Sequence, residues 1–481
     1  MPLDRRARQF FFAALAVLAT SATAAAQPGA VAAEGKAPAS TKAPKDPPAA
    51  TDSDSEALGF GFGSYGRIDA ATDLRGGTPE PVSVVAHGSR IVEPSYFEID
   101  LYYRMRPSAD VEVTTVTTIA SGDVLFHYTG DFDASFAVRN LYAEAVIDDR
   151  YGLWVGSRMY RGDDIYLLDY WPLDDVNTLG AGVWAQTGAV RSEVHAGVNR
   201  LLDPYQFQTR DVRDPEFGDQ IIPQLDRQRF ITTAKVTYQY VHPLVSTKLK
   251  LYGEAEMLPS GTRLLPDDSP EKLPGDFGWT LGAELAAWMP DRGATHANLF
   301  VRFSEGLTAF DELAVPAGFD RERQVFPGAS ELVIGASANF EYRYGGVLAG
   351  GYARRFADAD PNSADRDDGW EYILDTRPTF FIGRGLGAGV DVSYQVRFPE
   401  GIDPTELIAL DPAVFQIAPM AIYSPFGTGS YARPQFRFVY RAAHLNRGAR
   451  DLYAIDDPRR DRPWVHYLGV QAEWWFNSTY R

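Results

Sequence analysis

The side chains of this 481-residue chain that could do chemistry are carboxylates, arginines and aromatic rings; cysteine is absent and there are seven histidines. Without cysteine there is no disulfide framework and no thiolate metal site. The histidines stand singly, so no histidine metal site is expected. No HExxH pair, Walker loop, GxSxG nucleophile turn or dinucleotide-binding glycine fingerprint lies in a strand–turn–helix context that would make it work. Asp163–Asp164 offers two carboxylates, but nothing supplies the paired geometry of glycoside cleavage or a nucleophile. Residues 358–369 read DADPNSADRDDG. That run is rich in oxygen ligands, yet Ser363 stands where a calcium loop needs its sixth-position glycine, and Gly369 where it needs its twelfth-position glutamate. It reads as a solvated loop. An enzyme, a metal and a cofactor are therefore not expected.

Aromatic rings paired with charge are the chemistry that remains. Aromatics make up 13% of the chain, with 25 tyrosines. A pyranose has apolar C–H faces and a rim of hydroxyls. Aromatic side chains offer flat apolar surface to the faces, and Arg or carboxylate groups make charge-assisted hydrogen bonds to the rim. Near the C-terminus, in HYLGVQAEWWF, Trp475 shares a face with Glu473 and Gln471 while Trp474 lies on the other. The net charge of −18 speaks against nucleic acid as a partner, which would require basic patches.

Elements of period two must position these groups. In YFEIDLYYRMR, Phe97, Ile99, Leu101, Tyr103 and Met105 oppose Tyr96, Glu98, Asp100, Tyr102, Arg104 and Arg106. In KLKLYGEAEM, Leu249, Leu251, Ala255 and Met257 oppose Lys248, Lys250, Tyr252, Glu254 and Glu256; ANLFVRF and VDVSYQVRF alternate in the same way. A soluble β-sandwich gives similar alternation. The length of the strands, often nine residues or more, and the runs of charge on their wet faces favour membrane-spanning strands around a watery lumen. No later segment is apolar enough, for long enough, to span a bilayer as a helix. Polar stretches at 202–228, 264–276, 357–369 and 401–414 read as long extracellular loops, and MPDRGAT as a short periplasmic turn. Residues 1–26 have the charged, apolar and small-residue regions of a secretory signal peptide. Residues 27–57, rich in Ala, Pro and Ser, read as a disordered spacer, and residues 58–481 as one barrel domain. At roughly 20–25 residues per strand and connection, the fold is an all-β transmembrane antiparallel barrel of about 16 to 20 strands.

Four blocks together resemble the maltoporin family of sugar-specific outer-membrane porins. They are FGSYGRID; the strand SRIVEPSYFEIDL; FAVRNLYAEAVIDDRYGLWVGSRMYRGDDIYLLDYWPLDD; and SYARPQFRFVY with the terminal GVQAEWW. The stretch from Leu153 to Trp171 is the most specific, because its aromatic and acidic positions follow the family's constriction loop. Residues 190–420 share only the general strand pattern. The resemblance implies homotrimers of 18-stranded barrels in the outer membrane, each with a constriction loop folded into the lumen and a slide of aromatics. It further implies that Tyr65, Tyr96, Tyr431 and Trp475 are slide aromatics, and that Arg67, Arg90, Glu98 and Arg139 are polar-track residues on the barrel wall. Asp164 and Asp169 take polar-track places in the third loop. Trp171 stands at the family's constriction tyrosine and Tyr166 where a histidine is common. The sequence also departs from the pattern. The family's loop arginine falls on Gly162, next to Arg161, and its mid-chain slide phenylalanine falls near Val245 and Ser246.

The function expected is facilitated diffusion of maltose- or maltodextrin-like sugars through a lipid-embedded homotrimer. The alternatives are a general or anion- or peptide-selective porin in the same architecture, or, in a different class, an outer-membrane adhesin or hydrolase. Block of single-channel current by oligosaccharides separates the first two; a Ser/His pair at one height would mark a hydrolase.

Overall fold

The computed structural model describes residues 58–477 except 123–135, 200–207, 215–217, 225–226, 265–266, 268, 291–293, 310–327, 358, 360–367 and 403–406. The signal-peptide and spacer segments and Tyr480 lie outside the described residues, as does most of the DADPNSADRDDG run. Strands account for nearly all regular structure. They are β1 (Gly59–Thr72), β2 (Tyr96–Ser108), β3 (Val111–Gly122), β4 (Ala137–Ile147), β5 (Tyr151–Arg161) and β6 (Asp175–Thr187). Next come β7 (Val190–Asn199), β8 (Arg229–Tyr240), β9 (Ser246–Leu258), β10 (Asp276–Trp288), β11 (His296–Gly306) and β12 (Ser330–Tyr342). The last six are β13 (Gly345–Ala357), β14 (Gly369–Gly383), β15 (Leu386–Pro399), β16 (Ala413–Tyr423), β17 (Gln435–Leu445) and β18 (Trp464–Phe476). Each pairs antiparallel with its neighbours in chain order. β1 also pairs with β18, from Ser64 opposite Phe476 to Thr72 opposite Leu468, which closes an 18-stranded sheet on itself. Closure removes the open edges that a sheet cannot leave unpaired in lipid. Among the described residues no helix is long and apolar enough to cross a membrane.

The pleat sorts the side chains as their alternation predicts. On β9, Leu249 and Leu251 are exposed on the outer face, while Lys248, Lys250, Tyr252, Glu254 and Glu256 are buried on the inner one. On β2, Ile99, Tyr103 and Met105 face out, while Glu98, Asp100 and Tyr102 face in. Charge inside the barrel is held in cross-strand pairs: Arg302 and Arg354 both meet Glu331, and Arg354 reaches Glu371 at 3.2 Å. Strand ends on one side are joined by short connections. In the turn 148–149, Asp148 and Asp149 both have positive φ, the type I′ geometry that matches strand twist. The described ends of the MPDRGAT stretch are bridged by the bond from Met289 N–H to the Thr295 carbonyl (3.0 Å).

Two of the longer connections fold inward. The third loop, residues 162–174, carries a 3₁₀ turn at Tyr166–Leu168. Its Ile165 seats on bare backbone: a Cβ added to Gly350 would lie 2.5 Å from Ile165 Cγ2, and one on Gly335 would lie 3.0 Å from Ile165 Cδ1. The first loop, residues 73–95, also enters the lumen. Val82, Val84 and Val85 join Ile165, Leu168, Tyr170 and Leu173 of the third loop in one apolar cluster against the wall residues Tyr252, Phe300, Val333, Tyr352 and Ile373. This corrects two expectations. SRIVEPSYFEIDL is a strand only from Tyr96, because Pro94 lacks a backbone donor and Ile91 and Val92 are drawn into an apolar contact with Met420, Ile422, Val439 and Tyr467. Arg90 therefore sits on the inward-folded first loop and not on the barrel wall.

Candidate solute-binding track in the lumen

Closure of the barrel places the N- and C-terminal strands side by side. Tyr65 lies opposite Trp475 across the seam, and Arg67 opposite Glu473. On the other side of β1, Tyr65 is opposite Glu98 and Arg67 opposite Tyr96. Six inward side chains on three strands are thus neighbours by register alone. Arg139 reaches the group from β4 by a local irregularity. Thr118 pairs with Asn140 and Ile119 with Val138, so Arg139 is the extra residue of a β-bulge and turns inward beside Asn140. Between it and β2, the intervening strand offers only Ala120 and Gly122. The Arg139 guanidinium crosses that gap to pair with Glu98 and Tyr96.

The upper part of the track holds Tyr65 and Tyr96, their ring centroids 6.0 Å apart. The Arg67 guanidinium lies 5.5 Å and that of Arg139 5.8 Å from the centre of the Tyr96 ring. Arg90 donates to the Tyr65 hydroxyl at 2.8 Å, and Arg67 pairs with Glu93 at 2.9 Å and with Asp169 at 3.4 Å. Asp169 takes its place because it ends the 3₁₀ turn in the left-handed region, with φ 50°. The lower part is centred on Tyr166 of the third loop. Its ring meets Tyr431 at 5.3 Å and Trp475 at 6.5 Å, both near perpendicular, and the Arg90 guanidinium at 4.8 Å. Its hydroxyl donates to Glu473 at 3.0 Å. Tyr431 and Arg433 come from the 424–434 connection, which folds up towards the third loop, and Arg433 stacks on Trp475 at 4.0 Å. Glu473 is the common anion of Arg90 (3.1 Å), Arg433 (2.8 Å) and Arg437.

Ten of the twelve candidate residues are thereby brought together: Tyr65, Arg67, Arg90, Tyr96, Glu98, Arg139, Tyr166, Asp169, Tyr431 and Trp475. Two stand apart. Asp164 anchors the loop, its backbone carbonyl accepting from Ser337 Oγ at 3.1 Å. The ring of Trp171 stacks on Arg161 at 3.7 Å, and Arg161 pairs with Asp175 at 3.0 Å at the loop's base. Val245 and Ser246 lie at the β8–β9 turn, where Ser246 is bonded to the His242 carbonyl, so neither places a ring in the lumen. Arg433, Arg437 and Glu473 were not picked out as site residues. Their alternation with apolar partners in RPQFRFVY and VQAEWW is the signal that would have found them.

The base of the third loop is fixed by charge. Asp163 pairs with Lys248 and, at 3.5 Å, with Lys250. Burial pushes this carboxyl up, but the two ammonium groups together outweigh burial and hold it below the ordinary carboxylate range. His87 of the first loop stacks on Tyr170 of the third at 3.8 Å. Burial, and then the Arg354 and Arg302 charges, lower its pKa to about 3, so the ring docks neutral.

An antiparallel barrel that is apolar outside, charged inside and entered by inward loops is the architecture of an outer-membrane porin channel. The chain belongs to the LamB porin family, whose model matches residues 60–476. That membership agrees with the resemblance read from the four sequence blocks. Among solved structures, the outer-membrane channel DcaP of Acinetobacter baumannii aligns with TM-score 0.46 and 9% identity, over 87% of this chain and 98% of that one. OccD3 (OpdP) of Pseudomonas aeruginosa aligns with TM-score 0.44 and 10% identity, over 87% of this chain and 91% of that one. No curated protein matches the chain.

Proposed function

We propose that this porin passes saccharides of the maltose and maltodextrin type across the outer membrane by facilitated diffusion. The observation that carries the reading is the train of inward rings from Tyr96 and Tyr65 to Tyr166, Tyr431 and Trp475, flanked by the guanidiniums of Arg67, Arg139, Arg90 and Arg433. Rings at successive heights let a pyranose pass from one apolar face to the next. Flanking charges exchange hydrogen bonds with its hydroxyls. Transport requires several weak sites in series, not one tight one. Binding near 1 mM corresponds to about −4 kcal/mol, which a few stacked rings and shared hydrogen bonds supply. The first 26 residues direct export in this reading, the outer faces of the strands contact lipid, and three copies assemble as in the family.

The test is planar-bilayer conductance with maltose, sucrose and longer maltodextrins. Tyr431→Ala removes one ring of the train and weakens sugar block by about fivefold, the equivalent of ~1 kcal/mol of stacking, with the barrel still folded. Trp171→Ala weakens block as well if the third loop's outer ring contacts sugar. A parent channel that no saccharide blocks rejects the proposal in favour of a general porin.

A further inference from the structure

The buried arginines of the strands pair with carboxylates, with one exception. Arg229, Arg302, Arg354, Arg377 and Arg437 each meet a carboxylate oxygen. Arg441, on β17, is as deeply buried, at 1% exposure, and meets none among the described residues. Its Nε has no hydrogen-bond partner. Its Nη1 reaches the Gln416 side-chain oxygen only at 3.5 Å, and its Nη2 the Glu80 backbone carbonyl at 3.3 Å. Both contacts are long for hydrogen bonds. Two carboxylates of the neighbourhood are engaged elsewhere. Glu80 turns its own carboxylate to Arg459, and Asp69 accepts from the Tyr467 hydroxyl at 2.6 Å. Tyr467 stands opposite Arg441 in the β17–β18 ladder and offers it only a ring, 5.9 Å away. Val439 and Ala443, the next inward residues along β17, are apolar and buried, as is Ala418 on β16.

A guanidinium carries five N–H donors and keeps its charge at any working pH. A buried charge without a counter-charge is far more costly than a buried neutral group, and water supplies dipoles but no charge. The missing partner is therefore an anion. It is also a small one, because a site this enclosed leaves no opening for a phosphate or carboxylate with a chain attached. Arg441 lies four residues before the end of β17, beside the long 446–463 connection, and Glu80 and Pro81 next to it are exposed. Long connections face outwards in outer-membrane barrels, so the anion has an approach from the external medium. We infer that Arg441 holds a small inorganic anion, of the chloride class, between the first loop and the β16–β18 wall. The anion completes the ring of acceptors begun by the Glu80 carbonyl and fixes the leg of the first loop that leads through Val82 to Arg90 in the track. The inference is independent of the saccharide reading.

Bromide, which replaces chloride and scatters anomalously, is the direct probe. Crystals of the parent grown in bromide should show an anomalous peak in contact with the Arg441 guanidinium, and crystals of Arg441→Met, which keeps an apolar stem of similar length, should not. In solution, unfolding in urea is followed at constant ionic strength while gluconate, too bulky for the site, is exchanged for chloride. A tenfold rise in chloride above the dissociation constant should multiply the parent's folded-to-unfolded ratio by up to about ten, and leave that of Arg441→Met unchanged. The two measurements on the parent decide the matter even if the variant does not fold. A parent without a peak at Arg441, or with a peak but no chloride response, overturns the site. So does a chloride response that Arg441→Met retains, since it then arises elsewhere.

Discussion

Three guanidinium groups converge on the Glu473 carboxylate, and each comes from a different element. Arg90 arrives on the first loop, Arg433 on the 424–434 connection and Arg437 on β17. The carboxylate side chain is only 4% exposed, so its loss would leave buried cations without their anion. Glu473→Gln is expected to destabilise the barrel by about 3–5 kcal/mol, the usual result of removing one partner from a buried ionic group, read as a lower unfolding midpoint in denaturant. The same substitution adds net positive charge beside Tyr166 of the third loop, so the reversal potential in a salt gradient should move towards anions. Side chains such as Tyr96 and Trp475 were legible in the sequence because each sits on a strand whose alternation states its face. Arg139 was legible only through the family resemblance. Alternation alone turns it outward with Leu141, and the bulge that reverses it leaves no mark in composition or periodicity.

The two inward loops respond differently to acid. A buried histidine with a lowered pKa takes up its proton more readily once undocked. The His87–Tyr170 contact is therefore fully stable above about pH 6.5 and loses stability as pH falls from there towards 3. The Asp163 pair behaves in the opposite way. Its carboxyl is held below its ordinary 3.8, so the contribution of this pair is complete above that value and is lost only below it. Between pH 6 and 4 the first loop should loosen while the base of the third stays fixed. Current noise should rise over that interval in the parent and stay flat in His87→Phe, which retains the ring but not the titration. Asp163→Asn, in contrast, should raise noise already at neutral pH. Here the sequence was a partial guide. The third loop was expected inside the lumen because the resemblance put it there. The first was not, since the β-like residues of IVEP suit a strand equally well until a distant wall supplies the surface that Ile91 and Val92 cover.

At the scale of the whole molecule, the inner charges are paired across neighbouring strands instead of being segregated into a cationic and an anionic wall. Examples are Arg229 with Glu256 at 3.0 Å, Arg377 with Asp391 at 2.8 Å, and Lys235 with Glu193 at 3.0 Å. A lumen built in this way exerts little net field, and the parent channel should show weak ion selectivity, with a reversal potential near zero in a tenfold KCl gradient. The overall −18 charge does not predict this, because it sums the whole chain and not the lumen alone. Architecture was the most legible level. Period two, strand length and the spacing of polar stretches are properties of every strand, so errors at single positions average out, whereas a loop's destination depends on one set of contacts. The first loop carries a last consequence. Its partners Glu371, Asp375, Gln395 and Glu473 lie 285, 286, 312 and 383 residues further along. A segment made early in translation waits for a berth supplied by the final third of the polypeptide. Until then Val82, Val84 and Val85 remain open to chaperones and proteases, so their protection marks a finished molecule and a truncated one betrays itself from within.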